Sequence, residues 1–331
     1  MLIATHDGTF HADETTACAV ITYLFDNASV IRTRDPDLME KADLIIDVSL
    51  QNDERHYDHH SKEFTEGREN GIRYATAGLM WKKFGYDFLK KIAARELDFR
   101  PSATVFDAAF KRIDHDFMVM VDLNDNGQLT DYVSKLADAK DEAQTALRDR
   151  LIEFYQCSPD IPYIVAMQNL PSAKGEAQDK AFMQTVKMLR QILVACSINA
   201  LVTASGVERV LQCYKGGEIL VMQERLPWSQ AVLEHPEIFK DCLLAVYPDR
   251  NDRWRIQSLP VSKALRFKNR LSAPVGWRGL DGAALNQAAG LANLNFVHRS
   301  GFTGGADSYD DTMNMAEAWL RLGERYQGQN E

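Results

Sequence analysis

Residues 43–60 read DLIIDVSLQNDERHYDHH. Leu44-Ile45-Ile46 is an unbroken apolar run that stops at an aspartate, Asp47. A strand exposed on one face alternates apolar and polar residues, whereas a continuous run marks a strand covered on both faces. Residues 2–5 (LIAT) and 29–33 (SVIRT) repeat that pattern. Between them, Ala17, Val20, Ile21 and Leu24 recur at helical spacing, which predicts a helix over 14–24, capped by Thr9 or Asp13. The order strand, helix, strand, strand predicts an α/β fold built on a parallel sheet. Such sheets bind ligands beyond the carboxyl ends of their strands. His6 and Asp47 stand at two of those ends, and the loop carrying Asp58-His59-His60 follows the third strand.

Five of the eight histidines fall in the first sixty residues: His6, His11, His56, His59 and His60. Adjacent histidines beside an aspartate cost desolvation when buried and gain little when exposed. Coordination reverses that balance, because divalent transition metals take neutral imidazole and carboxylate as ligands. The candidates are His6, His11, Asp13, Asp47, Asp58, His59, His60, Asp122 and Asp125. Singly, each has an ordinary role. His6 and His11 fit a core or a cap, Asp47 and Asp125-Asn126-Gly127 fit turns, and Asp58-His59-His60 fits a solvated loop. Together they point to a metal-dependent hydrolase in which two divalent ions clamp a phosphoryl oxygen for in-line attack. Asp47 lies between the two His-bearing segments and is the expected bridge. A donor set of His and Asp without Cys favours Mn2+ or Mg2+ over structural zinc.

With 331 residues, the chain is long enough for two cores. Hydrophobic residues make up 45% and charged residues 26%, as in an ordinary globular protein. The net charge of −9 excludes a molecule that is basic throughout, but not a local basic patch. The five cysteines include no CxxC pair, which argues against a zinc ribbon and a disulfide framework and fits a reducing cytoplasm. Without a continuous apolar run of about 20 residues or a basic, apolar leader, we expect a cytoplasmic protein and no membrane partner.

Helical patterns follow over 74–92, 107–124 and 129–158, then a loop over 159–173. A connecting helix is expected from about 174 to 213, broken near Ser205-Gly206, with Phe182, Val186, Leu189, Ile192, Leu193 and Cys196 on one stripe. Strands are expected at 218–223, 242–248, 254–259 and 295–298, with a turn at 249–252. Helices are expected at 280–291 and 308–322. This divides the chain into a catalytic domain (1–172), a connecting helix (173–214) and a smaller α+β substrate domain (215–331), with the active-site cleft between the domains. Residues 301–305 (GFTGG) read as a glycine-rich loop ahead of the last helix, where the Gly304 and Gly305 amides could cradle an anion. Arg278 and His298 are candidates to join them. Between Pro248 and Leu280 there are eight Lys/Arg and two Asp, interleaved with Trp254, Phe267 and Trp277. Single-stranded nucleic acid needs that mixture of charge and aromatic faces; an ordinary hairpin with both tryptophans in the core has the same composition.

The motifs resemble the DHH phosphoesterase superfamily and, within it, the melanocyte-proliferating-gene family. The matching residues are Thr5-His6-Asp7-Gly8-Thr9-Phe10-His11-Ala12-Asp13-Glu14, Arg32 to Pro36, Asp47-Val48, His56 to His60 with Phe64-Thr65-Glu66, and Asp125-Asn126-Gly127. Trp254-Arg255-Ile256-Gln257, Trp277-Arg278-Gly279-Leu280 and the run Phe296 to Gly305 extend the match over nearly the whole chain. The resemblance implies a two-domain DHH architecture, two divalent metals and 3′→5′ exonuclease activity on RNA. It carries the metal positions onto His6, His11, Asp13, Asp47, His59 and Asp125. His60 becomes a transition-state or phosphate contact, and Asp58 is grouped with it as catalytic. Phe10-His11 departs from the aspartates usual in the superfamily's first motif, and residues 89–170 match weakly. The expected partner is a single-stranded RNA or oligonucleotide, and homo-oligomerisation stays open. A phosphoesterase acting on pyrophosphate or short nucleotides would share the ligands; a non-catalytic nucleic-acid-binding protein would hold the metal structurally.

Overall fold

The computed structural model describes residues 1–131, 141–157, 159–249, 251 and 253–328. The chain divides into two compact units, Met1–Val202 and Thr203–Glu331. The dividing point lies inside one helix.

The first unit is built on a parallel four-stranded sheet: β1 (Leu2–Thr5), β2 (Ser29–Arg32), β3 (Leu44–Ile46) and β4 (His56–Tyr57), in the order β2-β1-β3-β4. The three expected strands are present. The fourth was unexpected, because it consists of two residues of the histidine-rich stretch itself. Helix α1 (Ala12–Leu24) is buried on every side from Ala12 to Ile21, so it has no single apolar stripe. Its cap is neither Thr9 nor Asp13. His11 occupies that place, and its backbone N–H donates to Glu14 Oε1 at 2.9 Å. After α2 (Pro36–Met39) comes α3 (Thr76–Glu96), which packs along α1. Next are α4 (Ala103–Ile113), a π-helical turn (Asp114–Met118) and α5 (Val119–Asp125), which ends at a left-handed Gly127. Of the helix expected at 129–158, residues 132–140 and 158 lie outside the described residues; α6 spans Glu142–Cys157. The loop expected at 159–173 contains a short helix, α7 (Ile161–Ala166), capped by the Asp160 carboxylate with Pro162 in its first turn.

Helix α8 runs unbroken from Glu176 to Cys213. Gly206 does not break it. A Cβ there would meet the Pro227 ring at 2.5 Å, so the glycine makes room for a close neighbour. By length and composition alone α8 is apolar enough to cross a bilayer, a test that core helices also pass. Phe182, Val186, Leu189 and Leu193 are buried, while Ile192 and Cys196 are half-buried.

The second unit carries a five-stranded sheet in the order β5-β6-β7-β10-β9. Its strands are β5 (Ile219–Val221), β6 (Leu244–Pro248), β7 (Trp254–Ser258), β9 (Leu294–Val297) and β10 (Thr303–Ala306); β8 (Leu271–Ser272) pairs with β11 (Glu324–Arg325). Leu244 and Val246 face one core with Trp277, Met315 and Trp319, whereas Ala245 and Tyr247 face another with Val210, Trp228 and Phe239. Both faces are covered, by α10 (Gly282–Ala289) and α11 (Tyr309–Leu322) on one side and by α9 (Trp228–Glu234) on the other. The β6–β7 hairpin forms as expected, although Arg250 and Asp252 of its turn lie outside the described residues.

The expected glycine loop is corrected. Gly304 and Gly305 belong to β10, paired with β7 on one side and β9 on the other, so their backbones serve the ladder and form no anion cradle. A Cβ on Gly304 would lie 2.8 Å from Met315 Cε and 2.9 Å from the Phe296 carbonyl, so close packing explains the glycine.

Candidate metal centre

Parallel strands bring their carboxyl ends to one edge. His6 follows β1, Asp47 follows β3, and Asp58-His59-His60 follows β4. Asp47 adopts a left-handed backbone, φ 58°, so the chain turns immediately after the strand. Its carboxylate lies 3.6 Å from His6 Nε2, 3.9 Å from His59 Nδ1 and 3.3 Å from His60 Nδ1. Three histidines from two strand ends thus share one buried aspartate. Around it stand three groups of close donors: Asp47 with Asp58, His59 and His60; His6 with His11 and Glu14; and Asp13 with His59 and Asp125.

Each donor is held by its local structure. His6 Nδ1 lies 2.9 Å from the Asp7 carbonyl, which leaves Nε2 facing Glu14 Oε1 at 3.2 Å and Asp47. Asp13, fully buried, accepts the Thr76 and Ala77 amides at 2.9 and 2.6 Å, so it caps α3 and leans on that helix's positive end. Asp125, on the last residue of α5, reaches His59 Nε2 at 3.0 Å. Asp58 is also fully buried, but its oxygens are occupied by Leu50 N–H at 2.8 Å and by His60 N–H and Nδ1 at 2.9 Å. It therefore orients His60, whose ring is half-exposed. Asp122 is committed elsewhere. It pairs with Arg68 Nη1 at 2.7 Å and accepts Gly78 N–H at 3.1 Å.

The contacts inside the cluster shift its protonation equilibria. Burial would lower the His6 pKa, but hydrogen bonds to Asp47 and Glu14 prevail and raise it to about 10. Asp47 and Asp58 raise His60 to about 10 against its partial burial. Burial drives the Asp13 carboxyl well up, helped by the charges of Asp125 and Asp47, and burial likewise raises Glu14. Burial alone would raise Asp47, yet His6 and His60 hold it below the usual carboxylate range. The residues fit a divalent cation. Among the described residues Glu14 Oε2 is buried with no hydrogen-bond partner, a donor that a cation could take. The donors are imidazole and carboxylate, a set that divalent metals take as ligands.

Glu14 was missed as a donor because a glutamate three residues after His11 reads as a capping residue. Asn169 gave no local signal. Its Oδ1 accepts Phe10 N–H at 3.0 Å and its Nδ2 donates to the Phe10 carbonyl at 2.7 Å, which pins the strip between His6 and His11. Arg32 holds the same strip through the Gly8 carbonyl, with its guanidinium between Phe10 and Phe182 and on Asp179 at 2.9 Å.

The candidates of the second unit behave differently. Arg278 donates to the Ala273 carbonyl at 2.8 Å and pairs with Glu324 at 2.5 Å. His298 is exposed in a turn closed by Gly301, which packs on Arg278.

The model of the MYG1 exonuclease family, described as "Uncharacterised protein family (UPF0160)", matches residues 2–320. The chain is 33% identical to the MYG1 exonuclease of Rattus norvegicus, covering 96% of this chain and 84% of that protein. It is 32% identical to the Homo sapiens MYG1 exonuclease, over 96% and 85%, and 28% identical to the Saccharomyces cerevisiae MYG1 protein YER156C, over 96% and 95%. Among solved structures, RecJ in complex with Mn2+ from Thermus thermophilus aligns with a TM-score of 0.25 and 12% identity, over 97% of this chain. The chain spans about half of that RecJ chain, 52%. The whole-chain match, on a strand edge that gathers these histidines and carboxylates, shows that the chain belongs to the MYG1 exonuclease family.

Proposed function

We propose that the chain is a 3′→5′ exonuclease that hydrolyses RNA with two divalent ions, Mn2+ or Mg2+. The ligands are His6, His11, Asp13, Asp47, His59 and Asp125, joined by Glu14. Asp47 would hold both ions. The observation that carries this reading is the contact of one buried aspartate with His6, His59 and His60. When bound, the ions supply water activation and neutralise charge on the phosphoryl oxygens. The protein does the rest. Asp58 fixes the His60 ring, whose half-exposed side can meet a phosphoryl oxygen. Asp13 ties the centre to α3, and Asn169 and Arg32 hold the His6–His11 strip. Metal chemistry falls to the first unit, and strand holding to the second. Free Cys18, Cys196, Cys213 and Cys242 support a reducing, cytoplasmic setting.

The test is an end-labelled single-stranded RNA, and the matching DNA, incubated with the protein and Mn2+, with and without chelator. We expect stepwise loss of nucleotides from the 3′ end of RNA, abolished by chelator and by Asp47→Asn in a folded protein. Wild-type turnover in Asp47→Asn would remove the bridge assignment, and intact strands in every metal would remove the nuclease reading. A phosphoesterase acting on pyrophosphate is the second reading. It is favoured by the engagement of Arg255 and Arg278 with Asp249 and Glu324. Phosphate release from pyrophosphate with untouched RNA would select it.

A further inference from the structure

The basic segment of the second unit separates into two populations. Trp277 is core, and Trp254 packs half-buried on Tyr309 with ring centres 4.9 Å apart. Arg253 pairs with Asp307, Arg255 with Asp249 and Arg278 with Glu324. What remains is the loop 260–270, PVSKALRFKNR, eleven residues without a carboxylate.

Its stem is fixed. Arg270 donates to the Pro260 carbonyl at 2.9 Å and the Cys242 carbonyl at 2.8 Å, and also reaches the Phe239 carbonyl. Pro260 bridges Asn269, Val261 N–H donates to Lys268 O at 3.0 Å, and Lys268 N–H donates to Leu265 O at 3.0 Å. At the tip Phe267 is 86% exposed, and the Arg266 guanidinium lies 4.8 Å from the centre of its ring. Lys263, Arg266 and Lys268 make no ion pair among the described residues. A phenylalanine this exposed on a stem this well tied gains nothing for the fold. Charge decides its partner. In a chain of net −9, three unpaired cations collect around one open aromatic face.

We propose that the loop 260–270 is a stacking platform for single-stranded nucleic acid. Phe267 takes a base on its open face, and Lys263, Arg266 and Lys268 neutralise the flanking phosphates. Stacking on an aromatic ring is tolerant of sequence, and lysine and arginine around it read only the backbone, so the platform grips RNA without base preference. This rests on the nuclease reading above and names the group that holds its strand.

The test is fluorescence anisotropy of a labelled single-stranded RNA with the full chain, in chelator so that the strand stays intact. Phe267→Ala is expected to weaken binding at least about fivefold, the lower end of the loss of one stacked base, while Phe267→Trp keeps it. Lys263→Gln, Arg266→Gln and Lys268→Gln together are expected to flatten the salt slope by about 2, at roughly 0.7 per phosphate contact. Mn2+ affinity and thermal melting stay unchanged in both. Wild-type RNA affinity in Phe267→Ala overturns the platform and leaves the nuclease reading standing. Absence of hydrolysis in wild type with Mn2+ overturns that reading instead, whatever the loop binds. Anionic lipid vesicles serve as a counter-probe: loss of vesicle binding, and not RNA binding, in Phe267→Ala makes the loop a membrane contact and refutes the proposal.

Discussion

Asn169 offers a measurement of how far a residue outside the metal cluster governs it. Phe10 is wholly buried, and its N–H and C=O are both paired with one side-chain amide. Asn169→Ala removes both bonds and leaves two buried backbone groups without partners. Stranding a buried group costs about 1–3 kcal/mol, so the two stranded groups together should cost about 2–6 kcal/mol in chemical denaturation. The freed strip from Asp7 to Phe10 must then be reordered on binding metal. Fixing one residue of it costs about 1–2 kcal/mol, so Mn2+ affinity by calorimetry should fall at least about fivefold to thirtyfold. Asn169→Asp keeps the acceptor for Phe10 N–H and loses the donor, and should fall between. An Asn169→Ala protein within about 0.5 kcal/mol of wild type, with unchanged Mn2+ affinity, would refute the reasoning.

Two further outcomes follow from buried charge. Arg68 holds Asp114 at 2.8 and 2.6 Å and the fully buried Asp122 at 2.7 Å, while burial has already pushed the Asp122 carboxyl to about 7 against the pull of Arg68. Arg68→Met should cost about 3–5 kcal/mol, partly recovered by adding Asp122→Asn; stability equal to wild type in the single variant would show that the pair does not matter. His6 carries its proton to about 10 in the metal-free state, and a ligating imidazole must be neutral, so Mn2+ binding should release a proton. Affinity should rise with pH up to about 10, while the stability that protonated His6 lends the metal-free protein, complete below about 6.5, is lost through the same rise. Calorimetry in buffers of different ionisation enthalpy measures the release, and a heat independent of buffer would disprove it.

β1 and β3 were legible because they are buried on both faces, and burial writes continuous apolar runs; β2, at the sheet edge, is only half-buried. β4 was not legible, since His56-Tyr57 carries no such run and pairs only because β3 lies beside it. Gly304 and Gly305 misled for the opposite reason. Their glycines signal a turn locally, but the missing side chains make room for Met315, Phe296 and the Trp254 carbonyl. His6, Asp47 and His59 could be grouped from strand ends alone. Asp125 needed the packing of α5, and Asn169 stands 159 positions from the Phe10 backbone it holds, with no periodicity to announce it. The split of the basic segment into paired arginines and one open loop depends on carboxylates as distant in sequence as Asp307 and Glu324.

The left-handed backbone at Asp47 narrows what a mutating lineage can place there. Outside glycine, asparagine and aspartate tolerate that conformation best, because their short polar side chains bond locally. Alanine would lose the contacts with His6, His59 and His60 and incur strain as well, and glutamate would lengthen the side chain on a backbone that resists it. A copy of this gene freed from nuclease work, and kept only for its folded surface, should therefore drift at position 47 toward asparagine or glycine. Such a residue in an otherwise intact sequence would mark a descendant that has kept the shape and given up the chemistry.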